Sequence, residues 1–220
     1  MKAGTTGDRR TGGWQQFLVP ALLCLAAVSS PLSAAISCEL NFPASDVARL
    51  FPGSTSYKVV YFSFASRGGD PLLRKVESRL GGFPALYAPL DVPYVLYEIY
   101  KGTTKIGYIH GVNQKGQLGV LEVFVSLDLE GKIKAFYLQR MASQWAAKYT
   151  SPRFGNQFLG LTLKDFERYD VVRGQGTGKL TAIINPAPEA VTDFFGLLRA
   201  LNKNLVLMDE FFFSLEKKKP

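Results

Sequence analysis

Glycine recurs at every second position in Gly174-x-Gly176-x-Gly178, followed by Lys179. Such a run invites a phosphate-binding reading. A Walker loop needs GxxxxGK followed by Ser or Thr, whereas Leu180 follows Lys179 here and the spacing is wrong. A dinucleotide fingerprint needs GxGxxG between a strand and a helix, a context this stretch lacks. The segment is expected to be a turn. His110 is the only histidine, so any Ser-His-Asp or Cys-His arrangement must use it. No GxSxG accompanies it, and Ile109-His110-Gly111 reads as a strand end with a partly exposed imidazole. Glu98, Glu122, Asp128, Glu130, Asp165, Glu167 and Asp193 form no motif. A glycosidase pair needs a separation that a sequence does not show. Cys24 and Cys38 are the only cysteines. A zinc centre needs several Cys or His ligands, so no metal site is expected. These exclusions point away from hydrolases.

The elements that must position these residues follow from periodicity. ASDVARLF, within Asn41–Pro52, predicts a short helix with Ser45 or Asp46 as N-cap and Pro52-Gly53 as stop. Tyr57–Ala65 is β-branched and aromatic, which predicts a strand. Asp70-Pro71 opens a helix to Leu80 that buries Leu72, Leu73, Val76 and Leu80 and ends at Gly81-Gly82. Pro84, Pro89 and Pro93 mark an extended linker. From Tyr94 to Leu138 strands dominate, interrupted by a glycine-punctuated loop at Gly111–Gly119. In Val120–Leu127 the set Leu121, Val123, Val125, Leu127 is wholly apolar and should face the core. Asp128–Lys132 reads as a hairpin turn with Gly131 at positive φ, leading into Lys132–Leu138. Ala142–Ala147 and Gly155–Leu159 read as short helices around Ser151-Pro152, and Leu163–Tyr169 as a helix or turn. Val191–Asn202 is the best helix, with Phe194, Phe195, Leu198 and Leu201 on one face. Leu205–Phe213 reads as a strand or extended arm. Hairpins in the middle with helices at both ends predict an α+β fold, an antiparallel sheet with helices packed on one side.

Several of these stretches share an order and spacing with a known family. Leu50-Phe51-Pro52 matches its short helix. Tyr97, Tyr100, Gly102, Gly107 and Tyr108 match a Y-x-x-Y-x-G-x-x-x-G-Y strand pair. Gly116, Gly119 and Val120–Val125 match a glycine-containing loop leading into an apolar strand. Asp128, Gly131, Lys132 and Ile133 match D-x-x-G-K-I, and Phe154, Gln157, Phe158 and Gly160 lie close to F-x-x-Q-F-x-G. Over roughly Ala44–Leu207 the chain resembles the FMN-binding domain of extracytoplasmic electron-transfer proteins. That family includes the periplasmic flavin subunits of sodium-pumping and Rnf-type NADH:quinone reductases. The resemblance implies FMN as cofactor, subunits of a membrane redox complex as partners, and a redox carrier or accessory subunit rather than a stand-alone enzyme.

Two departures bear on the flavin. The family carries an E-T-P-G-L-G-type loop where this chain has Gln139–Ala147, which lacks those glycines. It also carries S-G-A-T before the last helix, whose threonine takes FMN as a phosphoester. The matching stretch here is Thr181–Glu189, and no hydroxyl lies between Thr181 and Thr192. A phosphoester needs a Ser or Thr oxygen, so FMN is expected to be noncovalent or absent. If absent, the chain is a structural or interaction module that keeps the fold. In the family's geometry the site would lie where Gln139–Lys148 meets Ile184–Asp193. Arg140 and Lys148 would hold an anion, Trp145 would stack on the flavin or fill an apolar gap, and Asn185 and Thr192 complete the expected set.

The N-terminus addresses location. Arg9 and Arg10 precede the apolar run Phe17–Val28, and Ser33-Ala34-Ala35 resembles a small-residue cleavage site. Residues 1–35 are therefore expected to be a signal peptide or an N-terminal anchor, and 36–220 a single FMN-binding-like domain in the periplasm or its equivalent. Cys38 is then the one cysteine of the mature chain. Ala35-Ile36-Ser37 before it faintly resembles a lipoprotein box, so Cys38 is either a lipidation candidate or a buried or free thiol. Net charge is +8. Residues 1–35 carry Lys2, Asp8, Arg9 and Arg10, so their removal leaves +6. The Lys and Arg residues are scattered apart from Lys217–Lys219, which argues against nucleic acid.

Overall fold

Five strands pair in simple sequence order. The computed structural model describes residues 38–81 and 90–214. The expected leader, Cys24, Pro84, Pro89 and Lys217–Lys219 lie outside the described residues. β1 (Ser56–Phe62), β2 (Tyr94–Lys101), β3 (Thr104–Gly116), β4 (Gly119–Leu127) and β5 (Ile133–Arg140) form an antiparallel meander. The architecture is α+β, as the distribution of hairpins and helices predicts. Asp128 makes the β4–β5 turn: its Oδ1 accepts from the N–H groups of Glu130 and Lys132, and Gly131 has φ of +80°.

The helices come from both ends of the chain. α1 (Pro43–Leu50) precedes β1, and α2 (Phe64–Arg67) and α3 (Gly69–Arg79) follow it. After β5 come α4 (Ala146–Tyr149), α5 (Pro152–Gly155), α6 (Leu163–Phe166) and the small hairpin of β6 (Tyr169–Asp170) and β7 (Gln175–Gly176). The long α7 (Val191–Met208) ends in a π-helical turn, Asp209–Phe213. α7 lies on the face that carries Leu121, Val123, Val125 and Leu127, with Leu198, Leu201 and Leu205 buried among them. Each such leucine contributes roughly 1.5–3 kcal/mol by leaving water. Gly196 permits the approach: a Cβ there would meet Leu121 Cδ1 at 2.9 Å and the Lys115 carbonyl at 3.2 Å. α1 covers the second face, where Val47, Leu50 and Phe51 pack on Val95, Tyr97, Ile99, Ile109 and Phe124. Ser126 points to that side and donates to the Leu50 carbonyl. No helix among the described residues is long and apolar enough to cross a membrane.

Several elements depart from their sequence expectation. The loop expected at Gly111–Gly119 is mostly strand, because β3 runs on to Gly116 and only Gln117-Leu118 turn. Gly111 is glycine for packing, since a Cβ would lie 2.3 Å from the Phe124 ring. The arm expected at Leu205–Phe213 is the continuation of α7. Leu205, Val206, Leu207 and Met208 are all buried, a density that resembles a strand when read linearly. The strand expected to reach Ala65 stops at Phe62, where Ser63 and Ser66 form a reciprocal capping box for α2. The expected caps also move. Phe42 occupies the cap of α1 and donates its N–H to Asp46, while Asp70 lies inside α3 behind Gly68. The helix expected at Ala142–Ala147 forms later, as α4.

Candidate functional site

α4 brings the segment after β5 against the stretch before α7. The joint is Tyr149, which is fully buried. Its hydroxyl lies 2.8 Å from Asn185 Oδ1 and 3.2 Å from the Ala190 carbonyl. Burial pushes the phenol well above its ordinary range, with the Asp193 carboxylate adding to the shift. Phe154 stands edge-on to Tyr149 at 5.1 Å and to Phe194 at 6.4 Å. Gln157 ties the same stretch from the other side, accepting from the Ile184 N–H and donating to its carbonyl. The chain just beyond Gln139–Lys148 therefore meets Ile184–Asp193 through Tyr149, and the space between is occupied by aromatic rings and hydrogen bonds of the chain itself.

The residues expected at a flavin fare differently there. Trp145 is half-buried against the core, and Lys148 places its Nζ 4.5 Å from the Trp145 ring centre. Arg140 is exposed at the end of β5 and reaches Glu122 on β4 at 3.4 Å. Asn185 accepts from both the Tyr149 hydroxyl and the Ala187 N–H through Oδ1, so it serves the turn. Thr192 is exposed in the first turn of α7. Trp145 and Lys148 meet, and Asn185 joins their segment through Tyr149. Arg140 instead pairs with Glu122. An isoalloxazine needs an open slot and its phosphate needs convergent donors. These five residues offer neither, so FMN does not fit this corner.

A second polar group sits between β3 and α7, and the sequence reading missed most of it. His110 is fully buried in the interior of β3 rather than partly exposed at a strand end, because β3 continues past it. Its Nδ1 is 2.7 Å from Asn204 Oδ1 on α7. Asn204 donates its amide to the Val123 and Ala200 carbonyls, which fixes its orientation. Oδ1 must then accept, so His110 carries its proton on Nδ1. Nε2 is buried with no hydrogen-bond partner among the described residues. Burial depresses the imidazole pKa to about 4, against the pull of the Asn204 bond.

Lys203 is the next side chain along. It is 7% exposed, its Nζ donates to the Asn113 carbonyl, and burial lowers its pKa to about 8. Asn113 lies beyond the last rung between β2 and β3, Leu96 opposite His110. There β3 is paired with β4 alone, and a groove of about 390 Å³ opens, lined by Val92, Tyr94, Val112, Asn113, Lys203 and Cys38, among others. Cys38 itself is buried, packed with Leu40 and Phe124, and its thiol pKa is raised by burial and by Glu122. A lipid on its sulfur would require Cys38 to leave that cluster.

The helix expected over Val191–Asn202 stops just short of Lys203 and Asn204, whereas α7 runs on to Met208. Extending the expected helix through the apolar residues beyond it would have placed Asn204 four residues from Ala200, on the buried stripe. Among the described residues no cluster of His, Cys, Asp or Glu could hold a metal ion. Within Gly174–Lys179, Gly174 closes the β6–β7 turn, Gln175-Gly176 forms β7, and Lys179 opens a 3-10 turn. The chain matches no known family profile and no curated protein. The likeness to FMN-binding domains thus rests on the residues quoted for it.

Proposed function

We propose that the chain is an exported accessory subunit that uses an FMN-binding-type domain as a flavin-free interaction module at the periplasmic face of a membrane redox complex. The observation that carries the flavin-free part is Tyr149. Its buried ring and its two hydrogen bonds close the corner where the resembled proteins hold flavin. The absence of hydroxyls between Thr181 and Thr192 supports the same reading, since it removes the covalent acceptor. Export is supported by the basic, apolar and small-residue order of residues 9–35, and the membrane complex by the resemblance alone.

The test is spectroscopic. Protein purified from its native host should show no flavin absorption in the visible, and added FMN should keep its full fluorescence on mixing. A stoichiometric flavin band, or saturable quenching of FMN at micromolar protein, would overturn the flavin-free reading. A double replacement, Arg140→Ala with Trp145→Ala, addresses the surface of the same corner. If that surface docks on the complex, co-purification of the tagged chain with membrane subunits should fall, while unchanged recovery would remove the corner as the docking face.

A further inference from the structure

The groove at the end of β3 combines an apolar wall with one buried cation. Val92, Tyr94, Val112 and Cys38 supply the wall, and Lys203 comes from α7. Its volume of about 390 Å³ is in the range of sites that enclose small molecules. Burying an ammonium is costly, and an aliphatic residue of similar length would pack against the same neighbours without that cost. Lys203 is nevertheless buried by more than nine-tenths, with its Nζ at the unpaired edge of β3, 3.1 Å from the Asn113 carbonyl. Asn113 adds a second polar group, since its side-chain Oδ1 is buried without a hydrogen-bond partner among the described residues. Rotating that amide by half a turn would present its N–H₂ as a donor in the same place. Lys115, exposed on the rim, adds positive charge at the mouth.

We propose that this groove binds a small apolar carboxylate, a medium-chain alkanoate or a molecule of the same chemistry, with its head on Lys203 and Asn113 and its tail along Val92, Tyr94 and Val112. A carboxylate is the natural complement of a buried ammonium beside an amide donor, because charge-assisted hydrogen bonds are about twice as strong as neutral ones. An uncharged alcohol would gain the apolar contacts and lose the ion pair. The site is independent of the flavin question, because it shares no residue with the Tyr149 corner.

Its pH dependence separates this recognition from unspecific apolar binding. The free groove holds a positive charge below the Lys203 pKa of about 8 and loses it above. If only the ammonium form binds carboxylate, affinity at pH 9.5 should be roughly thirtyfold lower than at pH 7. The experiment is calorimetric titration of the full mature chain with decanoate and with decanol at pH 7 and pH 9.5. Decanoate should bind at pH 7 at least tenfold more tightly than decanol, and its affinity alone should fall at pH 9.5. Lys203→Met should remove the preference for decanoate while keeping decanol binding. Should that variant fail to fold, the Lys203 amine can be followed by NMR in the wild-type chain, where decanoate should raise its pKa. Equal affinity for the two probes, a pH-independent decanoate affinity, or no binding of either would overturn the proposal.

Discussion

Lowering the pH from 7 to 4 should cost this fold about 3 kcal/mol through His110 alone. The imidazole is fully buried, with the Phe62 ring at 6.0 Å and the Tyr94 ring at 6.3 Å. Nδ1–H is committed to Asn204, so a second proton must go to Nε2, where no acceptor among the described residues meets it. The charged groups that bear on it make matters worse, since Lys203 repels the imidazolium. Its pKa therefore falls from 6.5 to about 4. A difference of about 2.5 units corresponds to roughly 3 kcal/mol. Because the folded pKa is depressed, the unfolded chain binds more protons between these two values. The stability is fully present above pH 6.5 and is lost as pH falls toward 4. Glu98, Asp165 and Asp170 also have lowered pKa values and will lose stability in acid, so the comparison needs a variant. His110→Gln keeps a donor for Asn204 and cannot titrate. Urea unfolding of both proteins at pH 7.5, 6, 5 and 4 should show their difference changing by about 3 kcal/mol in favour of the variant. A constant difference across that range, or an imidazole that titrates near 6.5 by NMR, would refute the reasoning.

Two further outcomes follow from close contacts. Gly107→Ala should destabilise the fold by about 2–3 kcal/mol, read as a lowered Tm, because overpacking a rigid site costs that much. The new Cβ would lie 2.3 Å from the Leu127 carbonyl and 2.5 Å from the Phe51 ring, and an unchanged Tm would contradict this. Arg79→Met should cost about 1–2 kcal/mol in urea unfolding at pH 7, between the values for surface pairs and for fully buried ones, because the Arg79 side chain is 26% exposed. Arg79 on α3 pairs with Asp209 and with the buried Glu210 on the π turn, leaving Glu210 only Lys75 among its described ion-pair partners. A loss below about 0.5 kcal/mol would place Arg79 with ordinary surface pairs.

Elements with one buried face could be read directly. The β4–β5 hairpin is legible because Leu121, Val123, Val125 and Leu127 alternate, and because Asp128 and Gly131 build its turn from local bonds. The start of α7 was legible from its stripe of Phe194, Leu198 and Leu201. The resemblance placed the expected site between the chain after β5 and the stretch before α7. That Tyr149 fills the space between them was not legible, since its partners lie 36 and 41 residues away.

By itself the sequence determined the α+β class, the absence of a covalent flavin acceptor between Thr181 and Thr192, and the exclusion of nucleophile and metal motifs. Each follows from local periodicity or from which side-chain atoms exist. Tertiary structure alone decided where strands and helices end once both faces are covered. Gly111 and Gly116 look like loop residues until Phe124 and Leu121 are packed against them. Leu205–Met208 looks like a strand until the last turn of α7 is buried on every side. It also decided that His110 is enclosed and that Lys203 lines a groove. Burial is a property of what covers a residue, and those covers come from elements about 100 residues away in the chain.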